Sequence, residues 1–156
     1  MGFGMKVSYY DPYLKKPGAK KIKRINSLEK LVSSNDIITV HIPMNEKNRN
    51  LFNDRILSKF KEKSYFINTS RGEIIDSSAL IEFLRNGRIA GAALDVLDGE
   101  FEPGFSKKVS AHSLVKYARA NNNLLITPHI AGSTADAWFL TQRFTIEMVI
   151  KVFEGF

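Results

Sequence analysis

The sequence predicts an α/β domain: a parallel sheet, doubly wound, with helices on both faces. Three observations predict it. Five short runs, at 6–10, 36–42, 65–67, 89–96 and 124–127, are rich in apolar, β-branched or aromatic residues. The segments between them carry apolar residues at helical spacing, so strands and helices alternate. The run DIITVHI is apolar nearly throughout, the pattern of a strand covered on both sides.

The elements follow in order. KVSYY is a short strand, ended by Asp11-Pro12, and Phe3-Gly4 before it resembles a glycine-capped helix end. KKPGAKKIKR then reads as a solvated basic loop. Ser27 caps a short helix with Leu28, Leu31 and Val32 on one face. Pro43 closes the second strand, and Asn53 caps a helix carrying Ile56, Leu57 and Phe60. The third strand leads into SYFINTSRG, Gly72 to Ile75 is a turn, and Asp76 caps a helix that Gly87 stops. The fourth strand, IAGAALDV, is rich in small residues that admit a close helix. The stretch 101–123 is irregular, broken by Pro103-Gly104, with helical turns at 114–120. The strand LLIT ends in Pro128-His129, and Ser133 with Asp136 begins a closing helix carrying Trp138, Ile146, Val149, Ile150 and Phe153.

At 156 residues the chain suits one domain, residues 1–156, with a real core. There is no cysteine, which removes disulfide and thiolate chemistry and fits a reducing cytoplasm. No run approaches the ~20 apolar residues that span a bilayer, and no signal-peptide pattern opens the chain. The net charge is +7, and six of the cations lie in the ten residues from Lys15 to Arg24. Nucleic acid is not expected as a partner, because neither a recognition helix nor interleaved aromatics accompany the charge. A solvated loop is the expected reading, and the charge would also welcome an anionic small molecule.

In a parallel sheet, ligands sit beyond the carboxyl ends of the strands. Gathered at those ends are Asp11, His41, Arg71, Asp95 and His129, with Glu100 a few residues into a loop. An arginine there can grip a carboxylate with two parallel N–H bonds. A histidine beside a carboxylate can give or take one proton at a hydroxyl or carbonyl oxygen. Asp11 suits the two hydroxyls of an adenine ribose, and is equally a turn aspartate before proline. His41 reads as mainly structural, with its segment His41, Ile42 and Pro43 walling an adenine pocket. The three histidines lack close ligand spacing, so no metal is expected. Ser70 has no positioned base and no GxSxG elbow, so it is not read as a nucleophile.

The segments KVSYYDP, TVHIP, INTSRGEIID, GAALDV with Glu100 five residues after Asp95, and ITPHIAGST stand in this order along nearly the whole chain. Together they resemble the NAD-binding domain of the D-isomer-specific 2-hydroxyacid dehydrogenases, a Rossmann-type fold. The resemblance implies NAD as cofactor and a small 2-keto or 2-hydroxy acid as substrate. It implies that Arg71 binds the substrate carboxylate, that His129 is the general acid and base, and that Glu100 holds and tunes it. Asp95 would hydrogen-bond the nicotinamide carboxamide and Asp11 the adenine ribose. Thr69, Ser70, Ala131 and Gly132, with Arg71 and His129, would line the cofactor site.

The sequence also departs from that pattern. The family's phosphate loop precedes a strand like KVSYY, and Gly2-Phe3-Gly4 is not that loop. The first strand, the loop and the substrate domain are therefore expected to be absent, leaving a partial NAD(P)-binding domain. Asn48 stands where the family often has threonine, and the stretch 101–123 is longer than usual. A fragment of this kind is expected to expose apolar surface and to self-associate, or to be completed by another chain. Two other readings compete: an NAD-responsive binding module resembling corepressors, and an inactive remnant.

Overall fold

The computed structural model describes residues 4–14 and 22–155. Its described strands form two parallel ladders, where the sequence suggested one sheet of five. β1 (Ser8–Tyr9) pairs with β2 (Lys23–Arg24), and β3 (Ile37–Val40), β4 (Ser64–Asn68), β5 (Ile89–Leu94) and β6 (Leu124–Ile126) form a second sheet in that order. β2 corrects the reading of KKPGAKKIKR as loop throughout. Both its residues are exposed, so periodicity gives no strand signal; its anchor is Ile25, which is buried and donates its N–H to the Tyr9 carbonyl at 2.8 Å. The remaining basic residues, 15–21, and Phe3 lie outside the described residues.

The helices begin where the capping residues predict. Ser27 caps α1 (Leu28–Ser34), Asn53 caps α2 (Asp54–Leu57) and Asp76 caps α3 (Ser77–Arg85), each accepting backbone N–H groups of the first turn. Gly87, just after α3, takes a left-handed φ of +73°. The 101–123 stretch holds α4 (Phe105–Lys108) and α5 (Ser113–Ala120). In α6 (Ala135–Glu154) the cap is Thr134, accepting from Ala137 N–H, one residue later than the Ser133 start expected.

The order β3-β4-β5-β6 advances steadily across the sheet. Right-handed crossovers that keep one direction lay their helices on one face. That face is the core. Ile38, Val40, Phe66, Leu94 and Leu124 point into it from the strands, against Ile56, Leu57, Leu80, Leu84, Leu114 and Tyr117 from the helices and their flanks. Phe52, Phe60 and Phe66 form an aromatic knot there, with centroids 5.0 to 6.3 Å apart. The residues that alternate onto the other face, Ile37, Tyr65 and Leu125, are exposed. α6 buries no residue, and its Trp138, Phe139, Phe144 and Phe153 are all exposed. Exposed apolar surface was expected, and its place is now specific: the second face of the sheet and the last helix.

Candidate active site

Register decides which residues meet. Val40 pairs with Asn68, Asn68 with Leu94, and Leu94 with Ile126. The residues one step on, His41, Thr69, Asp95 and Thr127, therefore form a row along the carboxyl edge. Asp95 N–H donates to the Asn68 carbonyl and Thr127 N–H to the Leu94 carbonyl, both at 2.9 Å, so the row is held as firmly as the ladder.

Beyond the row, the turns after β4 and β6 are each held by a buried polar side chain. Asn68 is fully buried. Its Oδ1 accepts from Ser70 N–H (3.0 Å) and Ser70 Oγ (2.8 Å), while its Nδ2 donates to the Arg71 carbonyl (2.8 Å). That clamp aims Arg71 outward, where it is exposed. Asp95 is 4% exposed and does the same for the last turn. Its Oδ1 accepts from the Thr127 hydroxyl and from Ile130 N–H, and its Oδ2 from Ala131 N–H (2.8 Å). Burial alone would push the Asp95 carboxyl up. The Thr127 hydroxyl, the Ala131 and Ile130 N–H groups and the nearby His129 outweigh it, and the carboxyl is held below the ordinary range.

The loop wrapped round Asp95 presents His129 in a left-handed conformation, φ +53°. Such a φ is uncommon outside glycine, and it turns the ring back toward Glu100. His129 Nδ1 lies 2.9 Å from Glu100 Oε1. The carboxylate accepts from Nδ1–H, which leaves Nε2 with no hydrogen-bond partner among the described residues. Glu100 is mostly buried, its side chain 13% exposed against 39% for His129, so the imidazole is the accessible member of the pair.

The turn that carries Arg71 comes close to the loop of Glu100 because of Gly72. A Cβ there would stand 2.0 Å from the Leu97 carbonyl carbon and 2.1 Å from the Asp98 nitrogen. Without a side chain, the turn after β4 lies directly on the loop after β5. Phe101 then joins the groups. Its ring centroid lies 5.9 Å from the Arg71 guanidinium carbon and 5.8 Å from the His129 ring centroid.

Below the edge is a cleft of about 330 Å³, lined by Ile67, Ala93 and Leu125 on its apolar wall and by Thr69, Asp95, Thr127 and Ala131 at its rim. An apolar slot with a few polar groups at the mouth suits a flat amphipathic ring such as nicotinamide. The fit covers that end of the cofactor; among the described residues no glycine-rich turn feeds a helix to cradle phosphates.

The structure thus brings together Arg71, Glu100 and His129, and separately Thr69, Asp95 and Ala131. The other residues have the following local partners. Asp11 Oδ1 accepts Tyr13 N–H (2.8 Å) and Leu14 N–H (3.2 Å), the turn role left open for it, on the separate β1–β2 ladder. His41 lies past the end of β3, exposed, with Nε2 2.8 Å from Thr39 Oγ1. That corrects its placing inside a strand as a structural residue: odd-numbered residues of β3 face the open side. Ile42 packs against the core, and the Pro43 carbonyl accepts from Asn48 Nδ2. Ser70 serves the Asn68 clamp, and Gly132 stands in open space. Asp95, expected to meet the carboxamide, accepts with both oxygens from the 127–131 turn. Sequence reasoning missed Asn68, Thr127, Gly72 and Phe101. A polar residue closing an apolar strand is the signal that could have found the first two.

A parallel α/β sheet with polar and charged side chains gathered at its carboxyl edge is the arrangement of a Rossmann-type nucleotide-binding domain. The comparisons narrow this. Residues 1–131 match the model of the D-isomer specific 2-hydroxyacid dehydrogenase NAD binding domain, and the chain belongs to that family. The chain is 40% identical over 155 residues to D-3-phosphoglycerate dehydrogenase of Bacillus subtilis, covering 98% of this chain and 27% of that protein. It superposes on D-2-hydroxyisocaproate dehydrogenase with a TM-score of 0.84 at 31% identity, covering 96% of this chain and 46% of that one. D-lactate dehydrogenase from Aquifex aeolicus, solved with NAD and lactic acid, gives a TM-score of 0.78 at 30% identity, covering 99% and 48%. The chain spans less than half the length of these relatives.

Proposed function

We propose that this chain is the NAD-binding part of an NAD-dependent dehydrogenase that interconverts small 2-keto acids and D-2-hydroxy acids. The observation that carries it is the assembly of Arg71, Glu100 and His129 on three loops: the loops of Arg71 and Glu100 are pressed together at Gly72, and His129 reaches Glu100 from the third. Each group has one task. Arg71 binds the substrate carboxylate through its paired N–H groups. His129 holds a proton on Nε2 for the carbonyl oxygen during reduction, and takes it back from the hydroxyl during oxidation. Glu100 fixes the ring's tautomer and stabilises its charged form. Asp95 and Asn68 position the turns on which His129 and Arg71 ride. NAD supplies the hydride chemistry when bound; Thr69, Ala131 and the Ile67–Leu125 wall would receive its nicotinamide end.

The activity belongs to the full-length protein, with a substrate domain or a second chain completing the site. The exposed faces of the sheet and of α6 support association, with a second copy or with that completing segment. Among the described residues no helix is long and apolar enough to cross a membrane; the reading places the enzyme in the cytoplasm.

The test is NADH oxidation by the full-length protein with pyruvate, phenylpyruvate or glyoxylate, followed at 340 nm. Turnover of at least one, lost in Arg71→Ala and His129→Ala, is expected. No turnover with any 2-keto acid and either nicotinamide cofactor overturns the proposal.

A further inference from the structure

Arg71 is exposed, and the one hydrogen bond its guanidinium makes among the described residues is to its own neighbour, the Ser70 carbonyl, at 2.6 Å. It has no ion pair among the described residues. A long side chain held only by an adjacent carbonyl keeps most of its rotamer freedom, yet a carboxylate-binding arginine must present its fork in one direction. The contact that supplies the direction comes from another loop: the Phe101 ring, with the guanidinium carbon 5.9 Å from its centroid. The same ring meets His129 edge to face, interplanar angle 65°.

Phe101 itself is 70% exposed, so hydrophobic burial does not explain its position. It follows directly on Glu100, whose carboxylate holds His129. Two consecutive residues, Glu100 and Phe101, therefore reach both working groups: one side chain by hydrogen bond, the next by its ring. The negative face of the ring attracts the cation, and the ring meets the imidazole in a T-shaped arrangement, a favoured geometry for aromatic pairs.

We propose that Phe101 is a positioning residue, holding the Arg71 guanidinium in one direction on the same ring that meets His129. The inference rests on the function proposed above, and it concerns the π-face of the ring rather than its bulk. An aliphatic side chain of similar size fills the same space but offers no quadrupole to the cation.

The experiment is steady-state kinetics of Phe101→Ala, Phe101→Leu and Phe101→Tyr in the full-length protein, with pyruvate and NADH varied in turn. Both Ala and Leu are expected to raise KM for pyruvate about fivefold, the fold-change appropriate to an exposed cation–π contact. kcat and KM for NADH should stay within about twofold, Tyr should restore the wild-type KM, and the melting temperature should not move. A Leu variant matching wild type, or a KM for NADH rising as much as that for pyruvate, overturns the positioning role while leaving the dehydrogenase reading intact. A wild-type protein inactive on every 2-keto acid overturns both.

Discussion

His129 meets Glu100 at 2.9 Å, and His112 meets Asp98 at 3.0 Å. The two pairs share a chemistry and lie on adjoining loops, but they differ in which nitrogen is left over. In the first, Nδ1 is spent on the carboxylate and Nε2 faces outward. In the second, Nε2 is spent on Asp98, whose carboxylate also accepts from Ser77 Oγ (2.7 Å), and Nδ1 accepts Leu114 N–H (3.3 Å) as the cap of α5. Every polar atom of the His112 ring is used inside the protein. Proximity of a histidine to an acid therefore does not make a proton-transfer site; a free nitrogen on an accessible ring does. His112 is nearly buried, with 12% of its side chain exposed, against 39% for His129.

The comparison can be broken most sharply at His129. His129→Asn keeps a residue that tolerates a left-handed φ, so folding should survive. Turnover of a 2-keto acid by the full-length protein should fall about 10²- to 10⁴-fold, the range for general acid–base catalysis. An Asn variant within tenfold of wild type would sink the assignment.

Gly72→Ala strikes both pairs at once, because Asp98 and Glu100 ride on the loop that Gly72 touches. Backbone lies on the far side of the added carbon and cannot rotate away. The cost should be about 3 kcal/mol, the upper end for overpacking, read as a lower midpoint in urea.

Asp95→Asn tests the support of the His129 loop alone. Replacing a carboxylate that accepts three hydrogen bonds should cost about 2 kcal/mol, as for bonds to charged groups. The sign of its pH dependence follows from the lowered carboxyl. A carboxyl held below its unfolded value stabilises the protein above that value, near pH 4, and loses the contribution as pH falls through the folded one. The gap between wild type and variant should therefore be full at pH 7 and close in acid. A gap that widens in acid would contradict the hydrogen-bond account.

His112→Ala should have the smallest effect. Losing a helix cap costs about 1 kcal/mol, and kcat should remain within about twofold of wild type. If turnover instead collapses with stability intact, the distinction between the pairs fails.

Much of this was legible beforehand. Ser27, Asn53 and Asp76 announce their helices because a capping side chain acts on N–H groups only two or three residues away. Arg71, Asp95 and His129 could be placed at one edge because strand ends coincide in any parallel sheet. What failed was longer in range. Nothing local in KIKR marks a strand whose stability comes from the distant Tyr9 carbonyl. Asp11 read equally as ribose ligand or turn former, and its Oδ1 accepts the Tyr13 and Leu14 N–H groups of the turn, a pairing no residue period announces. Phe101 looked like one aromatic in an irregular stretch, since its neighbours Arg71 and His129 are about 30 residues off in either direction.

By itself, then, the sequence determined the strand and helix succession of the four-stranded sheet, the family and the residue types at the carboxyl edge, since these depend on side-chain period and short-range capping. Tertiary structure alone decided which face of the sheet is buried, which histidine keeps a free nitrogen, and how an arginine is aimed at it. Those outcomes depend on register and on backbone approach between loops far apart in the chain, and neither leaves a periodic trace in the residues.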